Sequence, residues 1–542
     1  MLNLKVKSSS NLKLCLILFS LFFTIFLFTS DGHRYTFDED LAFQQSKRIA
    51  TFSPDPSYVQ GESRAFFEYP WLYPPDSYEY NQRAICQNAI LCSHATVIHS
   101  LTQAPFIFVN HHFGFITASD IWTQNDFDDF HYVSWRNDMD PDMVFMEIFY
   151  GPLFSALSVC VLFLISKTYG FSIRTSLILV FLYGLTTIAW AYSQTSLNSV
   201  PVTFFLLSGF FFYRKFKITN SNFYLILTGI IFGVAFLTRN DMVLIFIPFF
   251  ILLLVTSFRK HTKLKTMFAF SIPLILTYTI HKLIGWVRDG EGALPITSVF
   301  SSNSHSPLAD IGVIPLGLTE GVAQNPYLLQ LFGILFSPGA GLFIYAPILF
   351  ASFVGFFDFY KKNKSDCILF LSFVGIFVIF FAAGSNWHGF NGWGSRYLLP
   401  VIPFLMIPIA ASIEKRMHFS FKIPVIFLGV IGFLINIVYL LQDVSYFVWG
   451  FFGSDERGLY SLGRKADGGV HELWINPIII WTFEFSQITQ SSLMLFAKPH
   501  LDLFLLKILG IELFLVCLAS TISILFYMLV KLSRNYTVEQ KL

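Results

Sequence analysis

Apolar residues in this chain fall in long blocks rather than in stripes. The first block is LCLILFSLFFTIFLFT (Leu14–Thr29). Such runs lack the polar face of a surface helix and have the length needed to cross a hydrocarbon layer. The pattern predicts twelve membrane-crossing helices. They are Leu12–Thr29, Met143–Ser166, Thr175–Tyr192, Val200–Tyr213, Phe223–Thr238, Met242–Phe258, Met267–Ile284, Gly341–Phe359, Cys367–Gly384, Leu398–Ile413, Ile423–Leu441 and Phe504–Val530. The expected fold class is an all-α polytopic membrane protein of about twelve transmembrane helices with large outer loops.

Composition agrees with that pattern. Of 542 residues 54% are apolar and 66 are Phe, while 13% are charged, about half the share of a soluble domain. The formal net charge of +2 gives no reason to expect a nucleic-acid partner. No Gly-rich phosphate cradle appears, which argues against direct ATP hydrolysis.

Lys and Arg predict the orientation. With both termini in the cytoplasm, the cytoplasmic segments are 1–13, 167–174, 214–222, 259–265, 360–366, 414–422 and 531–542, and they hold 21 of the 36 basic residues. The expected location is the plasma membrane. Lys5, Lys7 and Lys13 before the first block could open a signal peptide, but TSDGHR follows it with no small-x-small cleavage pattern, so a retained anchor is expected. The sequons at Asn363 and Asn535 fall on the cytoplasmic side and are expected to be unused. Cys15, Cys160, Cys367 and Cys517 lie within spans. Cys86 and Cys92 share one outer loop and are expected to form a disulfide.

The polar mass lies in three outer segments, 30–142, 285–339 and 442–503. The domain reading follows: 1–29 is the cytoplasmic N-terminus and anchor, and 30–142 a large outer loop with candidate catalytic carboxylates. Residues 143–441 form a multi-span core, 442–503 an outer loop of unknown role, and 504–542 the last span and tail. The first outer loop carries 16 Asp and Glu against 6 Lys and Arg. In it, YTFDEDLAFQQ places Asp38, Glu39 and Asp40 within about ten residues of the membrane surface. They can serve as a catalytic base or as a plain helix cap, since acidic residues favour a first turn. Asp138, Asp140 and Asp142 begin like a calcium loop, but Met143 stands where Gly is needed.

Counter-charges sit in other outer turns. LTRNDM places Arg239 beside Asp241, HKLIGWVRDG supplies Lys282, Arg288 and Asp289, and NWHGFNGWGSRYLLP supplies Trp387, His388, Trp393 and Arg396 in a Gly-rich turn that opens a helix. Glycines let a backbone approach a ligand, a helix start offers free N–H groups, and Arg can grip a phosphate through two hydrogen bonds. The bland alternative for Arg239 and Arg396 is snorkelling at a span end.

In their order, FDED (Phe37–Asp40), GVAFLTRNDMVLIFIP (Gly233–Pro248), LFSPGAGLFIYAPILF (Leu335–Phe350) and GWGSRYLLPVIPFL (Gly392–Leu405) resemble a GT-C glycosyltransferase of the protein O-mannosyltransferase and aminoarabinose transferase type. The resemblance covers roughly residues 12–445. It implies transfer of a sugar from a polyprenyl-phosphate donor to a lipid, glycan or protein acceptor on the outer face, generally with inversion. On that reading Asp38, then Glu39, is the base. Arg396, Arg239, Lys282, Arg288 and His388 hold the donor phosphate, and Trp387, Trp393 and Asp40 line the substrate groove. No metal ligand is named and no cofactor is required, although a divalent cation is compatible with the reading. Two alternatives stay open. A flippase or transporter of lipid-linked sugars should show polar groups within spans or a repeated half. An assembly scaffold would not need a carboxylate triplet at the membrane edge.

Overall fold

A computed structural model describes residues 2–33, 36–51, 96–121, 140–258, 263–289, 327–383, 387–389, 392–415, 419–442, 480–497 and 501–539. The described residues are helical, with no strand among them. Ahead of the bundle core come α1 (Leu2–Phe28), α2 (Phe37–Thr51) and α3 (Val97–Phe113). The core holds α4 (Pro141–Thr168), α5 (Ile173–Thr186), α6 (Ile188–Ala191), α7 (Ser199–Thr219), α8 (Asn222–Thr238), α9 (Val243–Phe258) and α10 (Lys263–Asp289). Beyond it lie α11 (Tyr327–Phe336), α12 (Leu342–Tyr345), α13 (Ala351–Lys362), α14 (Lys364–Ala382), α15 (Ile402–Lys415), α16 (Phe419–Leu441), α17 (Gln487–Ala497) and α18 (Phe504–Glu539).

Local chemistry starts and stops these helices. Asp140 caps α4 by accepting from the Asp142 N–H, and Pro141 fills the first helical position, where a missing N–H costs nothing. Ser172 caps α5 through the Thr175 N–H. Asn220 ends α7 in the left-handed region at φ 54°. Between α5 and α6 the extended Thr187 breaks the helix, and the two pieces are bent by 62°.

Six helical segments among the described residues are long and apolar enough to cross a membrane: Asn11–Phe28, Pro141–Thr168, Lys364–Ala382, Arg396–Lys415, Phe421–Leu441 and Phe504–Arg534. The bent pair of α5 with α6 and the following turn makes a seventh if taken as one span. The chain thus fits an integral membrane protein, but the expected count of twelve is not reached by this measure. The shortfall has physical causes. The helix α8 and the stretch Asn240–Val255 are shorter apolar helices, and Arg214 and Lys215 dilute the end of α7. The expected span Gly341–Phe359 is not one helix. It is α12, a 3-10 turn at Pro347–Phe350 and then α13, broken where Ala346 leaves helical backbone ahead of Pro347. Helix α11 lies in a stretch expected to be outer loop.

Helix α4 runs through the centre with most of its apolar length buried, whereas α18 lies at the periphery and buries little of itself. Close approach is built in. A Cβ on Gly151 of α4 would come within 2.3 Å of the Ser193 carbonyl oxygen, so only Gly lets that turn sit on α4. At one end of the bundle Asp366, fully buried, accepts from Arg214 at 2.7 Å, from Lys217 at 2.8 Å and from the Tyr169 hydroxyl at 2.9 Å. The Arg214 guanidinium also lies 3.9 Å from the Tyr169 ring centroid. At the other end His33, just after α1, bonds Asp502, just before α18, at 2.6 Å.

Candidate functional site

The acidic stretch after α1 becomes the first turn of α2. Thr36 and Glu39 form a reciprocal cap: the Glu39 Oε2 accepts from the Thr36 N–H at 2.9 Å and from its hydroxyl at 3.1 Å, while the Glu39 N–H reaches the Thr36 Oγ1 at 3.3 Å. Glu39 is 1% exposed. The helix-cap reading therefore holds for Glu39. Asp38 and Asp40 share this turn, and their side chains lie outside the described residues.

Buried polar pairs dock α2 on the bundle. Ser46 donates to Gln103 at 2.7 Å and Ser100 to Gln45 at 2.8 Å, which joins α2 to α3. His99 of α3 meets the Ser196 carbonyl at 2.8 Å, and the Ser196 hydroxyl donates to buried Glu147 of α4 at 2.6 Å. Thr102 and Tyr150 pair at 2.7 Å. Lys47 pairs with Asp140, and Asp142 accepts from Asn110 at 3.0 Å. Of the aspartates that open like a calcium loop, Asp140 serves as a helix cap and Asp140 and Asp142 tie α2 and α3 to α4, while Asp138 lies outside the described residues.

Two of the predicted phosphate-binding arginines meet on one tyrosine ring. Arg396 opens a 3-10 turn, Arg396–Val401, ahead of α15, and Arg239 follows α8. Each is 8% exposed. The Arg396 guanidinium lies 5.0 Å from the Tyr397 ring centroid and that of Arg239 lies 5.7 Å from the same centroid. Tyr397 stacks on Phe381 at 4.7 Å and 7°, and Arg239 also sits over Phe381 at 5.3 Å. Arg239 contacts Asp241 at 2.7 Å as an ion pair. Burial raises the Asp241 carboxyl above its usual range, and the Arg239 charge opposes that rise.

Tyr192 meets the Gly-rich turn ahead of Arg396. Its hydroxyl donates to the Trp393 carbonyl at 3.3 Å. The Gly-rich turn fits around Arg396. Gly389 is at φ +78°, and a Cβ there would meet the Arg396 Cγ at 3.0 Å; one on Gly392 would meet the Tyr192 hydroxyl at 2.8 Å. The sequence singles out neither Tyr192 nor Tyr397 among 23 tyrosines, because each matters only through partners from distant helices.

The remaining predicted residues are spread. His388 is buried, edge-on to Trp387 with centroids 5.7 Å apart. Trp387 and Trp393 are core residues at 2% and 0% exposure, and Trp393 packs edge-on to Tyr345 at 5.0 Å. Lys282 lies on α10 next to His281, whose ring meets Phe236 near the end of α8 at 5.1 Å. Arg288 is on the last turn of α10, with its side chain outside the described residues, as are Cys86 and Cys92 altogether. Asp31, His33 and Asp502 each offer one ligand atom within 4.8 Å of the others, a buried donor set of a kind that suits a divalent cation.

An arrangement of this kind, two guanidinium groups on an aromatic wall beside acidic residues, can bind a phosphate and stabilise charge building on it. The described residues form an all-helical chain that fits an integral membrane protein. Residues 145–285 match the family model described as dolichyl-phosphate-mannose-protein mannosyltransferase. The match runs from α4 to α10, and over that stretch the resemblance read from the sequence stands. It includes Arg239, Asp241 and Tyr192 and does not reach Glu39 or Arg396. No curated protein matches the chain.

Proposed function

We propose that the protein transfers a sugar from a polyprenyl-phosphate donor to an acceptor on the outer face of a twelve-span membrane fold, with inversion. The observation that carries this reading is the meeting of Arg239, within the matched family region, and Arg396, outside it, on one tyrosine ring. In this reading the guanidinium groups hold the donor phosphate while the anomeric carbon–oxygen bond breaks, and negative charge gathers where they lie. Asp38 takes the proton of the acceptor hydroxyl as that oxygen attacks from the opposite side, so one displacement suffices and no covalent carboxylate is involved. Glu39 is bound into the helix cap and positions the turn, which leaves Asp38 as the base of first choice. Two arginines supply the positive charge, and a divalent cation is not required.

The test is a transfer assay in membranes with radiolabelled polyprenyl-phosphate hexoses, comparing intact protein with Asp38→Asn and Arg396→Ala at matched expression. Label reaching an acceptor with the intact protein, and lost in both variants, is the expected result. Equal transfer by Asp38→Asn would remove the base. Protein-dependent appearance of labelled lipid in the outer leaflet, with no donor consumed, would make the protein a flippase instead.

A further inference from the structure

A second, separate feature lies between α5, α16 and α18. A groove of about 1050 Å³ runs between these helices. Its walls are apolar, with Phe181, Phe433 and Phe526 among them, and Thr186 lies at the far end of α5. At its near end stand Arg174, Lys422 and Arg534, one from each of the three helices. All three are exposed, and none has an ion-pair partner among the described residues. The neighbouring acid, Glu414, accepts from the Ser172 N–H and hydroxyl at 3.2 and 2.9 Å and forms no ion pair with the three cations.

Three cations without an ion-pair partner among the described residues, at the mouth of an apolar groove, fit a ligand with an anionic head and a hydrocarbon body. From Arg174 to Thr186 the helix rises about 18 Å at 1.5 Å per residue. That is somewhat more than half of a hydrocarbon core of about 30 Å, the depth that one leaflet's acyl chain fills. The volume is at the upper end of ordinary ligand sites, roughly 300–1,000 Å³. Helix α18 buries little of itself against the bundle, and the groove is one of its flanks. We propose that this groove binds an anionic glycerophospholipid, with its phosphate held by Arg174, Lys422 and Arg534 and an acyl chain lying along α5. The bound lipid fills the gap between α18 and the rest of the bundle. This proposal is independent of the transfer reaction.

The test uses the full chain purified in detergent and incubated with equal amounts of dioleoyl phosphatidylglycerol and phosphatidylcholine. Native mass spectrometry reads the lipid retained, and thermal unfolding is followed with each lipid alone. Each basic residue near an anionic headgroup contributes on the order of a few-fold in affinity, so intact protein should retain phosphatidylglycerol over phosphatidylcholine by roughly tenfold or more. The combined variant Arg174→Gln, Lys422→Gln, Arg534→Gln should bring that ratio near one. Gly429 lines the groove, with Leu182 3.3 Å from where its Cβ would stand, so Gly429→Trp should block retention of both lipids with the cations intact. Equal retention of both lipids by intact protein would overturn the proposal, and so would an unchanged preference in the triple variant. Displacement of phosphatidylglycerol by stoichiometric polyprenyl phosphate would assign the groove to that carrier lipid and overturn it too.

Discussion

Arg239 and Arg396, separated by 157 positions in the chain, share the ring of Tyr397, with guanidinium carbons 5.7 and 5.0 Å from its centroid. Two like charges converge because an aromatic face attracts each of them and Asp241 balances one. Tyr397→Leu removes both ring contacts, each of about 0.5–2 kcal/mol. Turnover in the transfer assay should fall by roughly ten- to a hundredfold with folding retained. Tyr397→Phe keeps the ring and loses only the 3.3 Å bond from Arg396 to the hydroxyl, so its loss should be less than about fivefold.

Glu39 and Asp38 should separate by kind of effect. Glu39→Ala breaks both halves of the cap and should lower stability by about 1 kcal/mol or somewhat more, read by thermal unfolding. Asp38→Asn should leave unfolding unchanged and abolish transfer. The opposite pairing, an unstable Asp38→Asn with normal turnover, would move the catalytic assignment off this turn.

Gly394 stands at φ +66°, and a Cβ there would lie 2.7 Å from the Tyr345 ring. Gly394→Ala adds about 1–2 kcal/mol of left-handed strain to that clash. The turn carrying Arg396 should shift, so transfer should fall together with thermal stability. Gly114→Ala, at φ +61° with nothing within 4 Å of its Cβ, controls for strain alone and should leave transfer intact.

Asp366 compensates two cations within the protein. Asp366→Asn keeps the shape but leaves buried Arg214 without its counter-charge, a loss of about 3 kcal/mol or more. Faster thermal inactivation should follow, and Asp366→Glu should recover part of it.

Asp241 gives a pH signature. Its carboxyl is raised by burial, so the folded state holds the proton more tightly than the unfolded chain does. Folding stability from this group is therefore present below the unfolded value near 4 and is lost as pH rises through the raised folded value. Asp241→Asn has no such loss. The stability of the variant relative to intact protein should improve between pH 4 and pH 7.5, measured by thermal unfolding across that range. A difference independent of pH would show that burial does not govern this carboxyl.

The apolar blocks of α1, α4, α14 and α16 were legible because a lipid-facing helix must be apolar along its whole length, and composition alone records that. The same rule misjudged Gly341–Phe359. An apolar run does not say whether its backbone stays helical, and here Ala346 and Pro347 interrupt it inside the protein, where neighbouring helices can satisfy the freed groups. Arg239, Arg396 and the acidic turn were legible as charges at span ends. Trp387 and Trp393 were expected to line a substrate groove, and nothing in the sequence signals that packing buries them to 2% and 0% exposure.

By itself, then, the sequence determined an all-helical membrane chain, the positions of its main spans and the basic and acidic residues at their ends. These follow from transfer free energies that act residue by residue. Tertiary structure decided that Glu39 serves a cap, that Tyr397 joins two arginines, that Tyr192 bonds the Trp393 carbonyl, and that Arg174, Lys422 and Arg534 surround one groove. Those relationships depend on how helices far apart in the chain pack, and short-range pattern carries no record of a distance between them.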